Sequence, residues 1–85
     1  MPQYSIFLTK KTQKQLDTLS NKISNAIIEA IYTLEDNPRP FGYKKLKGRT
    51  GCRIRVGDYR IIYEIFDSEL IVTVIALGHR KNIYK

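Results

Sequence analysis

The sequence has a single cysteine, a single histidine and no tryptophan, and each scarcity removes a class of chemistry. Cys52 has no second thiol to pair with, so the bridge-dense scaffolds of small secreted domains are excluded and a reducing cytoplasm is the expected setting. Cys52 and His79 together fall short of a zinc ligand set. No carboxylate cluster resembles a magnesium site, and neither a P-loop nor a dinucleotide-binding glycine fingerprint occurs. No metal and no cofactor are therefore expected. Long apolar runs are also missing. The longest, residues 70–77, is interrupted by Thr73 and compares with the roughly 20 residues needed to span a bilayer. Residues 1–9 lack both the basic leader and the apolar stretch of a signal peptide. No membrane partner is expected.

Acidic residues are the other shortage: 8 against 15 Lys and Arg leave a net charge of +7. Its distribution says more than its size. Residues 1–38 are neutral, and so are residues 61–85. Residues 39–60 hold Arg39, Lys44, Lys45, Lys47, Arg49, Arg53, Arg55 and Arg60 against Asp58 alone, so the whole excess lies in this stretch. A concentrated field of one sign suits a polyanion such as nucleic acid, or an acidic protein. A solvated basic loop is the alternative.

What is present fits one small domain spanning residues 1–85, since autonomous domains run to roughly 50 residues or more. Residues 4–9 read as a strand, and Thr9 caps a short helix over residues 10–19 with Leu16 and Leu19 inward. Ser20 caps a second helix, in which Ile23, Ile27, Ala30, Ile31 and Leu34 recur at spacings of 3 and 4, with Lys22, Asn25 and Glu29 on the far face. Pro38 and Pro40 end it near Asp36. The period then changes to 2. Cys52, Ile54 and Val56 alternate with Arg53 and Arg55, Gly57-Asp58 supplies a two-residue turn, and Tyr59, Ile61, Tyr63 and Ile65 follow. A further turn at Asp67-Ser68 leads into a last strand over residues 70–77. The fold class is α+β in the order β-α-α-β-β-β, with two helices on a mainly antiparallel four-stranded sheet.

The hairpin predicts its own register. With Gly57 and Asp58 as the loop, Val56 faces Tyr59, Arg55 faces Arg60 and Arg53 faces Ile62. Arg55 and Arg60 become cross-strand neighbours, a like-charge pair that costs some tenths of a kcal/mol, and Arg53 adds to the repulsion. Glu64 is the only carboxylate on that face. An external anion would resolve the cluster, and guanidinium forks match phosphate bidentately. Cys52, by contrast, should face inward with Ile54 and Val56 as an inert buried thiol.

Three motifs in order carry a family resemblance: Leu34-Glu-Asp-Asn-Pro-Arg-Pro-Phe-Gly-Tyr-Lys-Lys-Leu-Lys-Gly48, Arg53-Ile-Arg-Val-Gly-Asp-Tyr-Arg-Ile-Ile-Tyr-Glu-Ile65 and Gly78-His-Arg-Lys-Asn-Ile-Tyr84. From Tyr4 to Tyr84 the chain resembles the RelE branch of the RelE/ParE toxin superfamily. The resemblance implies the toxin of a type II toxin-antitoxin pair, an endoribonuclease that cleaves messenger RNA in the ribosomal A site. It implies as partners an antitoxin with an acidic helical segment, the ribosome and mRNA. It also implies catalytic positions at Arg53, Arg55, Arg60, Arg80 and Tyr84. In such relatives the tyrosine activates the 2′-hydroxyl, an arginine protonates the leaving 5′-oxygen and the remaining cations hold the scissile phosphate. Lys44, Lys45, Lys47, Arg49, His79 and Lys81 are the further expected contacts to RNA or ribosome. A tyrosine of ordinary pKa about 10 is a poor base, but surrounding cations favour its phenolate. Arg53 and Arg55 stand where some relatives have lysine, and arginine gives up its proton less readily than lysine, so both should act electrostatically. Two other roles stay open: Tyr84 as an aromatic plug and Arg60 as an ion-pair partner of Glu64. So do two other functions, a ParE-like inhibitor of DNA gyrase and a nonenzymatic RNA-binding module.

Overall fold

The computed structural model describes residues 3–48 and 51–79. The elements run β1 (Ser5–Leu8), α1 (Lys10–Asp17), α2 (Asn21–Thr33), β2 (Lys44–Lys45), β3 (Cys52–Val56), β4 (Tyr59–Phe66) and β5 (Ile71–His79). Both helix starts follow from their caps. The Thr9 hydroxyl accepts from the Thr12 amide at 3.2 Å, and the Ser20 hydroxyl accepts from the Ile23 amide at 3.4 Å. Each cap satisfies an amide that the first turn leaves without a partner. Among the described residues no helix is long and apolar enough to cross a membrane.

The strands form one sheet in the order β1-β5-β4-β3-β2. The expected α+β architecture holds, but the sheet has five strands rather than four. Lys44 and Lys45 pair antiparallel with Arg53 and Cys52, and the Leu46 amide closes the turn on the Gly51 carbonyl at 3.1 Å. Two lysines give no apolar alternation, so this strand rests on backbone pairing alone, and lysine is well tolerated at a sheet edge. At the other edge β1 runs parallel to β5, while the remaining pairs are antiparallel.

One side of the sheet carries the core. Ile27 and Ile31 of α2, Leu34 at its C-cap and Leu16 of α1 pack in one cluster with Cys52, Ile54, Ile61, Tyr63, Val72, Val74 and Leu77. Burying side chains of this size stabilises by about 1.5–3 kcal/mol each. Ile23, expected inward, is 36% exposed. It sits in the first turn of α2 beside Val56, Gly57 and Tyr59, where the sheet ends in its hairpin. Tyr63, fully buried, donates its hydroxyl to the Pro38 carbonyl at 2.7 Å and so ties the proline-rich loop to the centre of the sheet. Its burial raises the phenol pKa.

A β-bulge interrupts the β4–β5 ladder. Ile62 faces Ala76 but Tyr63 faces Val74, which leaves Ile75 as the extra residue. Strict alternation from Val72 and Val74 would turn Ala76 and Gly78 toward the helices. The bulge reverses the parity and puts Leu77 in the core instead, 1% exposed.

Candidate nucleic-acid interface

The β3–β4 register is the one expected: Val56 faces Tyr59, Arg55 faces Arg60 and Arg53 faces Ile62. Gly57 takes φ 60° while Asp58 is not at positive φ, the pattern of a type II′ turn, in which glycine leads. Because Cys52, Ile54 and Ile61 point to the helices, Arg53, Arg55 and Arg60 lie on the opposite face. Lys44, aligned with Arg53, joins them across the β2–β3 pair. Four cations from three adjacent strands therefore share one surface. Arg55 is exposed, and Arg53 and Arg60 are half-buried. The Nε of Arg60 is shielded from solvent.

The rest of that face explains how the arginines can stand there. Ile62, between Arg53 and Ala76, is 2% exposed although it lies outside the core cluster, so it forms an apolar floor under the cations. Gly78 is the β5 partner of Arg60 and brings no side chain against it. Glu64, aligned with Thr73, lies two residues along from Ile62 on the same face. Preorganised guanidinium groups on a partly desolvated floor can hold a phosphate and stabilise charge that builds on it during transfer.

Other expected contacts fall elsewhere. Lys45 aligns with Cys52 and turns to the helix side, where it lines a recess with Arg39, Tyr43 and Ile65. His79 aligns with Tyr59, and the two rings meet edge to face at 5.7 Å, also away from the arginine face. The bulge is the cause, since it sets the parity of β5 beyond Ile75. Lys47 is exposed in the turn after β2. Arg49, Arg80, Lys81 and Tyr84 lie outside the described residues. Cys52 is buried, and burial pushes its thiol up, as expected for an inert structural cysteine. It sits four register positions from His79 along β4, on the order of 13 Å, so the two do not form a nucleophile–base pair.

Arg39, counted with the basic stretch, has a different role. It makes a bidentate pair with Asp67 at 2.9 and 3.1 Å, and Tyr4 donates to the same carboxylate at 2.7 Å. This cluster joins the proline-rich loop to the β4–β5 turn and the start of β1. Nothing in the spacing of Tyr4, Arg39 and Asp67 signals it. Among the described residues no group of three or more His, Cys, Asp or Glu could share a metal ion.

The chain is similar to known proteins along nearly its whole length. A family model described as the ParE toxin of type II toxin-antitoxin systems, parDE, matches residues 6–84. The chain is 30% identical to Toxin RelE of Mycobacterium tuberculosis, over 96% of this chain and 87% of that protein. It is 26% identical to the mRNA interferase toxin RelE of Escherichia coli K12, over 86% of this chain and 75% of that one. Among solved structures, the archaeal RelE-RelB complex from Pyrococcus horikoshii superposes with a TM-score of 0.83 at 28% identity. That match covers 96% of this chain and 99% of the other.

Proposed function

The chain belongs to the ParE toxin family of type II toxin-antitoxin systems, within the RelE/ParE superfamily, and from that membership we propose that it is a RelE-type toxin that cleaves messenger RNA on the ribosome. The observation that carries the reading is the arginine face. Arg53, Arg55 and Arg60 are placed together by the hairpin register at a cost in mutual repulsion, and a phosphate offsets that cost. Lys44 extends the same field along the edge.

In this mechanism the mRNA backbone lies across that face, with the scissile phosphate between Arg60 and the Arg53–Arg55 row. The adjacent 2′-hydroxyl attacks phosphorus as its proton passes to the Tyr84 phenolate, while Arg80 delivers a proton to the departing 5′-oxygen. The upstream fragment then ends in a 2′,3′-cyclic phosphate. Lys44, Lys47, Arg49 and Lys81 serve the wider contact with RNA and ribosome, while Lys45 and His79, on the helix side, stand apart from it. The toxin acts as a single cytoplasmic domain over residues 1–85. It is held silent by an antitoxin whose acidic helical segment neutralises the basic stretch, in keeping with the toxin–antitoxin complexes among its structural relatives.

Primer extension on translated messages tests the reading. Discrete cuts within codons are expected, and substrates carrying a 2′-methoxy group at the cut should be inert. Because the matching family model is named for ParE, gyrase is assayed in parallel. Intact RNA with altered DNA topology would transfer the chain to gyrase inhibition.

A further inference from the structure

We infer that Gln15, in the last turn of α1, is a positioning residue for the RNA-cleaving face; the inference rests on the nuclease reading above. β1 pairs with β5 only from Ser5–Ile71 to Leu8–Val74, after which the chain turns at Thr9 into α1. Beyond Val74 the flank of β5 that faced β1 has no strand among the described residues, yet β5 continues to His79. α1 supplies the missing partners. The Val74 carbonyl accepts from the Thr9 amide at 3.2 Å and from the Thr12 hydroxyl at 3.0 Å. The Leu77 amide donates to the Gln15 side-chain carbonyl oxygen, Oε1, at 3.0 Å.

These contacts bracket the bulge. Ile75 lies between the two clamped backbone groups, and the next residue after Leu77 is Gly78, the partner of Arg60. They also account for an odd feature of α1: its buried side chains are Thr12 and Leu16, with Gln15 half-buried beside them. Packing alone would favour apolar residues at the Thr12 and Gln15 positions. A β5 flank with unpaired backbone groups calls for a donor at one and an acceptor at the other. Gln15 thus fixes the backbone one residue from Gly78, and with it the clearance beside Arg60. Groups that stabilise a transition state must hold their places to about 0.5 Å, so a helix on the far side of the sheet governs the geometry of the arginine face.

The test compares Gln15→Leu, which removes the acceptor, with Gln15→Glu, which keeps an oxygen acceptor for the Leu77 amide. Single-turnover mRNA cleavage, ribosome affinity and hydrogen exchange at Leu77 are measured for each beside the wild type. Gln15→Leu should lose at least about tenfold in cleavage with ribosome affinity within about twofold, and its Leu77 amide should exchange faster. Gln15→Glu should restore both protection and cleavage to within about threefold of wild type. Should Gln15→Leu fold poorly, Gln15→Met reads the same loss. Wild-type cleavage matched by a folded Gln15→Leu whose Leu77 amide has lost protection overturns the positioning role alone. A Gln15→Glu protein that keeps Leu77 protected and still cleaves as slowly as Gln15→Leu overturns it too. A wild-type protein that leaves mRNA uncut on active ribosomes overturns the nuclease reading, and this role with it.

Discussion

Individual side chains divide into those that hold the fold and those the fold holds in readiness. Arg39 is of the first kind. Its bidentate bond, with the Tyr4 hydroxyl bond next in weight, holds the Asp67 carboxyl at about 2. A carboxylate depressed in the folded state stabilises fully above its ordinary value, near 4, and that contribution disappears as pH falls toward about 2. Wild-type stability should therefore drop more steeply between about pH 4 and 2 than that of Asp67→Asn, measured by urea unfolding at each pH. Both partners are about half exposed, so the difference will be modest. Arg60 is of the second kind. Arg60→Ala removes a like-charged neighbour of Arg55, and cleavage should fall about 10²-fold or more, as when one preorganised donor is lost from an anion site. The unfolding midpoint should shift by less than the roughly 4–8 °C that 1 kcal/mol represents in a domain of this size. Full cleavage by the folded variant would remove the arginine face from the mechanism.

Among the elements, β5 decides most. It pairs parallel with β1, antiparallel with β4, and through side chains with α1, and its bulge sets which residues meet the core and which meet Arg60. Gly78, half-buried opposite Arg60, is the consequence. Gly78→Val adds a branched side chain opposite Arg60 at a strand position that β-branched residues favour. Stability should hold or rise while cleavage falls, and thermal melts beside single-turnover assays separate the two effects. A Gly78→Val protein that cleaves as well as wild type would mean that Arg60 needs no clearance on the β5 side. The hairpin is the more local element, since its register follows from one turn.

The whole molecule carries its net charge on one stretch, but the fold sorts that charge. Arg39 is neutralised at the β4–β5 turn, Lys45 turns to the helix side, and Lys44, Arg53, Arg55 and Arg60 share the opposite face. Association with ribosomes and with the antitoxin should slow as salt rises, because exposed charges are screened beyond about 10 Å at 0.1 M. Stopped-flow rates between about 50 and 200 mM salt should show a slope that Arg55→Ala flattens and Arg39→Ala changes least. Equal flattening by both variants would mean that net charge, rather than the arginine face, does the steering.

The sequence by itself determined the helices, the hairpin and the arginine face, because each depends on neighbours close in the chain. Thr9 and Ser20 cap within their own turns, and Gly57-Asp58 fixes which residues cross the hairpin, so Arg53, Arg55 and Arg60 had to share a face. The rest depended on contacts between distant segments. Lys44 and Lys45 become a fifth strand only because β3 offers its edge, which no side-chain pattern records. The bulge at Ile75 lies inside a run whose apolar residues suit either parity, so periodicity could not tell whether Ala76 or Leu77 would turn inward. The packing of Leu77, the hydrogen bond that Thr12 donates to Val74 and the one that Gln15 accepts from Leu77, on either side of Ile75, accompany that choice. They carried His79 to the helix side, beside Tyr59, and left Gly78 opposite Arg60. A period of 2 is set along one strand, but a change of phase in it is set by what packs against that strand, and only the tertiary structure contains that information.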